Sequence, residues 1–141
     1  MHPQLSALFY ETVTRDAAIV RRHGAEPILF MSWAYQDVPA MTQQLADAYV
    51  KAATANATRV VPAGLAFARS LALRPDVVLH VADKRHPTLA GTYLAAATVM
   101  ASVYRISPVG NTYTAGLPAD VATHLQNVAA ETVREFEANR R

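Results

Sequence analysis

Pro27-Ile28-Leu29-Phe30-Met31-Ser32-Trp33 is an apolar run of strand length with almost no polar interruption. A strand with one wet face alternates apolar and polar residues, whereas an unbroken run suits a strand covered on both faces, as in a parallel sheet. Upstream, Leu5, Leu8, Phe9, Val13, Ala17 and Val20 recur at steps of three and four, with Glu11, Arg15, Asp16 and Arg22 between them. That spacing predicts an amphipathic helix, stopped by Gly24. Downstream, Asp37 and Pro39 open a second helix whose apolar stripe is Met41, Leu45, Ala48, Tyr49 and Ala52. Arg59-Val60-Val61-Pro62 reads as a short strand, residues 65–73 as a short helix, and Val77-Val78-Leu79 as a further brief extended segment. From Thr88 to Ile106 the pattern is helical and apolar nearly all round, which predicts a buried helix. Ser107-Pro108-Val109-Gly110-Asn111 has turn chemistry, and Val121, Leu125, Val128, Thr132 and Phe136 mark a last surface helix. The alternation of helices with short strands indicates one α/β domain over residues 1–141, with a small, mainly parallel sheet.

Composition narrows the function classes. The chain has 141 residues, 52% hydrophobic and only 17% charged, which excludes a disordered or solvating segment. Its net charge of +2 is spread out, and like charges run no longer than the doublets Arg21-Arg22, Lys84-Arg85 and Arg140-Arg141. A nucleic-acid footprint needs a stripe or cluster, so no nucleic-acid partner is expected. With no cysteine, disulfides, thiol nucleophiles and thiolate zinc sites are excluded. Charged residues punctuate the first twenty positions, unlike a signal peptide. The uncharged stretch 87–104 approaches the length of a membrane span, but Ala, Thr, Gly and Ser make it a buried helix rather than a span. No membrane partner is expected.

Two strands, or three with residues 77–79, make a very small sheet for so many helices. Parallel strands want neighbours and covering helices, so the sheet is expected to be completed by association, in a homo-oligomer or with a partner chain.

The densest chemistry lies in Asp83-Lys84-Arg85-His86-Pro87-Thr88-Leu89-Ala90-Gly91-Thr92-Tyr93-Leu94-Ala95-Ala96. An Asp three residues before a His in a loop can turn its carboxylate onto the imidazole Nδ1–H, fixing the tautomer and leaving Nε2 as a general base. The same residues also serve a plain surface loop that caps a helix, with Thr88 as N-cap. Ser32, at the C-terminal end of a parallel strand, is the serine best placed to be a nucleophile, or simply a small polar residue ending that strand. His80, Asp83 and His86 have a spacing open to metal ligands, but it is unspecific, and neither metal nor cofactor is assigned. Trp33 and Tyr35 are candidates for a pocket wall or for core packing. Lys84 and Arg85 are candidates for anion contacts or for plain solvated charge.

The stretch Asp-x-x-His-Pro-Thr-x-x-Gly-x-Tyr-Leu-Ala-Ala resembles the last block of the SGNH (GDSL-type) serine hydrolases, most closely a bacterial branch with Ser in place of the Thr. The similarity extends upstream to His23-Gly24-Ala25 and to the strand 27–34, where that branch carries a Thr-Trp or Ser-Trp pair. It covers most of residues 9–136 and follows the C-terminal part of the family's domain. The resemblance implies a three-layer α/β/α, flavodoxin-like fold with an incomplete sheet. It also implies hydrolysis of small carboxylic esters, such as O-acetyl groups, with His86 as base and Asp83 as its orienter. The family's Gly-Asp-Ser motif is absent: the five glycines precede Ala25, Leu65, Thr92, Asn111 and Leu117. No Gly-x-Ser-x-Gly elbow replaces it. Gly110-Asn111 lacks the family's oxyanion spacing. On this resemblance the chain begins about midway through the family's domain. The expectation is therefore a serine-esterase relative that keeps the acid–base half of a triad. The alternatives are a non-catalytic binding or interaction domain, or one piece of a split enzyme.

Overall fold

The computed structural model describes residues 3–139, in which five helices surround a sheet of two parallel strands. Helix α1 (Pro3–Arg22) leads to β1 (Ile28–Phe30), α2 (Met41–Ala55) crosses over to β2 (Arg59–Val61), and α3 (Ala63–Leu73) follows at once. A hairpin-like loop then leads to α4 (Leu89–Val103), and a long turn to α5 (Ala119–Ala138). Ile28 lies opposite Arg59, Leu29 opposite Val60 and Phe30 opposite Val61. The ladder runs one bond further, from the Met31 N–H to the Val61 carbonyl at 3.0 Å. Pro62, which has no N–H to continue a ladder, ends β2 and stands as the N-cap of α3.

The core has two parts. On one side of the sheet, Met31 and Val60 pack on Ala46 and Ala53 of α2, flanked by Leu29, Leu45 and Tyr49. The larger part joins Phe67 of α3, Leu79 of the loop, Leu94 of α4, and Leu125 and Val128 of α5, all at most 2% exposed. Burying a side chain of that size stabilises the fold by about 2 kcal/mol. The domain is mixed α/β, with its helices in contact mainly with one another.

Three local expectations change. The run 27–33 forms a strand of only three residues, and Phe30 is 41% exposed, so β1 is not covered on both faces along its length. Residues 77–79 make no strand of the sheet: Val77 and Leu79 are buried while Val78 points out, and the neighbouring His80 instead bridges Pro87. The outer side of α4 is open at Leu89, Thr92 and Ala96, while Ala90, Leu94, Ala97, Thr98 and Ser102 face inward. Its small residues serve close helix packing rather than burial all round, which is why apolar content alone overstated its cover. The Thr98 hydroxyl is satisfied within the helix by the Leu94 carbonyl at 2.8 Å. No described helix is long and apolar enough to cross a membrane. The Leu5 side chain and the Arg140-Arg141 doublet lie outside the described residues.

Gly91 and Gly24 are needed for different reasons. A Cβ on Gly91 would stand 2.4 Å from the Leu79 carbonyl oxygen and 3.1 Å from the Phe67 ring, neither of which can move without disturbing the core. Gly24 has open space but a φ of +75°, where a side chain is strained. Gly91→Ala is expected to destabilise the protein by about 3 kcal/mol or more. Gly24→Ala is expected to cost about 1 kcal/mol. Urea unfolding of the two variants beside wild type checks the order.

Candidate functional site

Residues 79–88 fold back on themselves. Thr88 donates its N–H to the Leu79 carbonyl and Val81 donates to that of His86, both at 2.9 Å. Lys84 closes the tip by donating to the Val81 carbonyl at 2.9 Å, with its own φ at +63° in the left-handed region. The Thr88 hydroxyl accepts the Gly91 N–H at 3.2 Å and donates to the Val78 carbonyl at 2.7 Å, joining this loop to the first turn of α4. The helix cap expected from the sequence is therefore present, and it also anchors the loop.

Asp83 and His86 meet at the tip. Asp83 Oδ2 lies 2.5 Å from His86 Nδ1, while Oδ1 accepts the backbone N–H groups of Arg85 at 2.8 Å and of His86 at 2.9 Å. The His86 side-chain bond foremost, then the two backbone bonds, hold the Asp83 carboxyl well below the usual carboxylate range. An ionised carboxylate can only accept, so the proton between the two sits on Nδ1. Nε2 is then the free ring nitrogen, and the His86 side chain is 79% exposed. This is the geometry of an imidazole prepared as a general base or acid.

The segment after β1 meets the same loop. The Trp33 indole donates to the Arg85 carbonyl at 2.9 Å, and the Gln36 N–H donates to the Lys84 carbonyl at 2.9 Å. Lys84 Nζ is 3.7 Å from Asp37, and the Arg85 guanidinium lies 4.6 Å from the centre of the Tyr35 ring. Both charges are thus engaged at this junction. Trp33 and Tyr35 part company with a common pocket wall: the indole stacks on buried Phe67, while Tyr35 lines a cleft of about 260 Å³ with Gln36, Pro39, Thr42 and His80.

The other candidates lie elsewhere. His80 is 4% exposed and turns inward, where Nε2 donates to the Ala34 carbonyl at 3.1 Å and its ring meets Phe67 edge-on. His86 faces solvent, so the two imidazoles do not share a ligand set. Among the described residues no group of three His, Asp or Glu side chains is arranged to hold a metal. Ser32 follows β1 in an exposed position, and its hydroxyl is hydrogen-bonded to Tyr49. Burial pushes the Tyr49 phenol up, and the Ser32 bond works against that shift. Gly110 and Asn111 pack on α5, the Gly110 N–H donating to Gln126 and the Asn111 carbonyl accepting from it.

Sequence reasoning missed a serine–histidine contact between Ser70 of α3 and His124 of α5, 3.0 Å apart. Ser70 is fully buried, so the contact ties two helices and offers no reachable nucleophile. Burial first, and then the Arg74 charge, lower the His124 pKa. It also missed the Trp33 and Gln36 contacts, for which sequence offered only the aromatic at the strand end. Compared with models of protein families, with characterised proteins and with solved structures, the chain matches none.

Because the folded-state pKa of Asp83 is depressed, its stabilisation is complete above the ordinary carboxylate value and is lost as pH falls through the folded value. Asp83→Asn removes it. In urea unfolding from pH 7 down to pH 2, the wild type is expected to exceed the variant most at neutral pH. The gap is expected to close progressively below about pH 4.

Proposed function

We propose that the chain is a relative of the SGNH hydrolases and that Asp83–His86 is the acid–base half of a serine esterase acting on small carboxylic esters. The observation that carries this reading is the 2.5 Å contact of Asp83 Oδ2 with His86 Nδ1, with Nε2 left open. The reading includes a three-layer α/β/α architecture of which the two parallel strands are part. In the reaction, His86 Nε2 takes the proton of a serine hydroxyl as its oxygen attacks the ester carbonyl. The imidazolium then protonates the departing alcohol. Water, deprotonated by the same nitrogen, cleaves the acyl-enzyme. Asp83 stays ionised throughout and stabilises the imidazolium. Ser32 is the candidate nucleophile among residues 1–141, and it would have to exchange Tyr49 for His86.

A second reading, a non-catalytic interaction domain or one piece of a split enzyme, is favoured by the edge of β1. Met31 donates toward β2, so by alternation the N–H and C=O of Ile28 and Phe30 face away from it. Beside them runs an apolar groove of about 420 Å³ between α1 and β1, lined by Phe9, Val13, Ala17, Val20 and Ile28. Such an edge favours pairing with another strand.

Intact-mass analysis after treatment with a fluorophosphonate probe separates the two readings. The esterase reading expects one adduct on the wild type, formed at least about a hundredfold more slowly on His86→Ala. Ser32→Ala then identifies or excludes that serine. Folded protein that takes up no probe would overturn esterase activity for this chain. The second reading expects the edge of β1 to pair with another strand. Where that strand comes from a second copy the chain self-associates, and sedimentation as a monomer across the micromolar range would leave only a different partner chain.

A further inference from the structure

The two N–H groups that hold Asp83 Oδ1 belong to peptide units whose carbonyls are held from the opposite side. The Arg85 N–H shares its peptide plane with the Lys84 carbonyl, which accepts the Gln36 N–H at 2.9 Å. The His86 N–H shares its plane with the Arg85 carbonyl, which accepts the Trp33 indole N–H at 2.9 Å. Each plane is therefore pinned at both ends, by residues 33–36 on one side and by the Asp83 carboxylate on the other.

We propose that Trp33 is the positioning residue of the Asp83–His86 pair, acting through the 85–86 peptide plane to aim the Asp83 carboxylate at His86 Nδ1. The inference rests on the reading of these two residues as an acid–base pair. Three observations support it. The chain of bonds runs indole N–H, Arg85 carbonyl, His86 N–H, Asp83 Oδ1, and each bond polarises the next. The indole is itself fixed, since it stacks on Phe67 at 4.2 Å with the ring planes 6° apart, and Phe67 is 1% exposed. Burial does not fix the tip, because Asp83, Lys84, Arg85 and His86 are all exposed, so its aim depends on hydrogen bonds. Gln36 acts through its backbone, which any residue but proline supplies. Trp33 acts through a side-chain donor that no other apolar residue provides, so the aim of the pair is tied to this one identity.

The test separates the donor from the ring. Trp33→Phe keeps an aromatic ring against Phe67 and removes the N–H. Replacement of the indole by benzothiophene, through incorporation of 3-benzothienylalanine, keeps the full bicyclic shape and puts sulfur where the N–H was. The readout is the Asp83 carboxyl carbon followed by NMR through an acid titration. The surrounding charges (Lys84, Arg85, Asp37 and His86) are the same in all three proteins. Both replacements are expected to raise the Asp83 midpoint by about one pH unit, as the 85–86 peptide turns away. Amide shifts distant from the loop should stay in place. His86→Ala provides the reference and is expected to raise the midpoint as well. A midpoint unmoved by the benzothiophene replacement, with His86→Ala raising it, overturns the role of Trp33 and leaves the acid–base pair standing. A midpoint unmoved by His86→Ala overturns the pair itself, and the proposed function with it. Should Trp33→Phe not fold, the benzothiophene protein alone decides.

Discussion

The Phe67 ring is the joint on which the arrangement depends. It projects from α3, stacks on Trp33 just beyond β1, receives the edge of His80 from the loop, and lies close against Gly91 in the first turns of α4. Four pieces of chain far apart in sequence thereby fix one another's distance. The stack determines how near the segment after β1 can come to the 79–88 loop, and so whether the Trp33 indole reaches the Arg85 carbonyl. Ring pairs of this kind contribute about 1 kcal/mol beyond the area they bury. Their larger effect here is geometric, because stacking fixes the plane of the indole and with it the direction of its N–H.

Electrostatics acts on two scales around that joint. Arg69 bridges Glu131 and Glu135, and Arg74 bridges Asp76 and Asp120, tying α3 and the chain just after it to α5. These bridges are largely solvent-exposed, where ion pairs contribute little net stability, and they refine a helix pairing already made by Leu125, Val128 and Phe67. Asp83 is exposed as well, yet its bonds do something different. All of its partners lie within three residues, and together they set the direction of one imidazole. Local bonds of this kind add little to the fold and much to the geometry of a site.

Much of this was legible in the sequence because it depends on short-range pattern. The helices could be read from apolar spacing, the Thr88 cap from its place before the buried stretch, and the Asp83–His86 contact from a spacing that suits one turn of loop. What could not be read depends on partners distant in sequence. The run 27–33 is apolar throughout, but only residues 28–30 have a ladder partner, and β2 is no longer than that. The uncharged α4 shows one face to solvent because α3 and α5 cover only the other. Nothing near Trp33 announces that its N–H meets a carbonyl 52 residues later, and nothing near Ser70 announces His124.

The exposure of His86 sets a condition on any ester chemistry at this loop. In water, hydrogen bonds to a developing oxyanion compete with solvent, and the same groups are worth far more in a dry site. An imidazole 79% exposed is wet. Attack through a serine therefore requires that the tip of the loop be covered, by the ester itself or by polypeptide carrying the nucleophile. Val78 and Val81 on the loop and Leu89 at the start of α4 are 59%, 41% and 56% exposed, and Val81 lies directly across from His86. Covering them along with the imidazole would contribute apolar burial to the same event that dries the site. On the esterase reading, binding and the onset of catalysis are then one step: the contact that buries these side chains also brings Nε2 out of water.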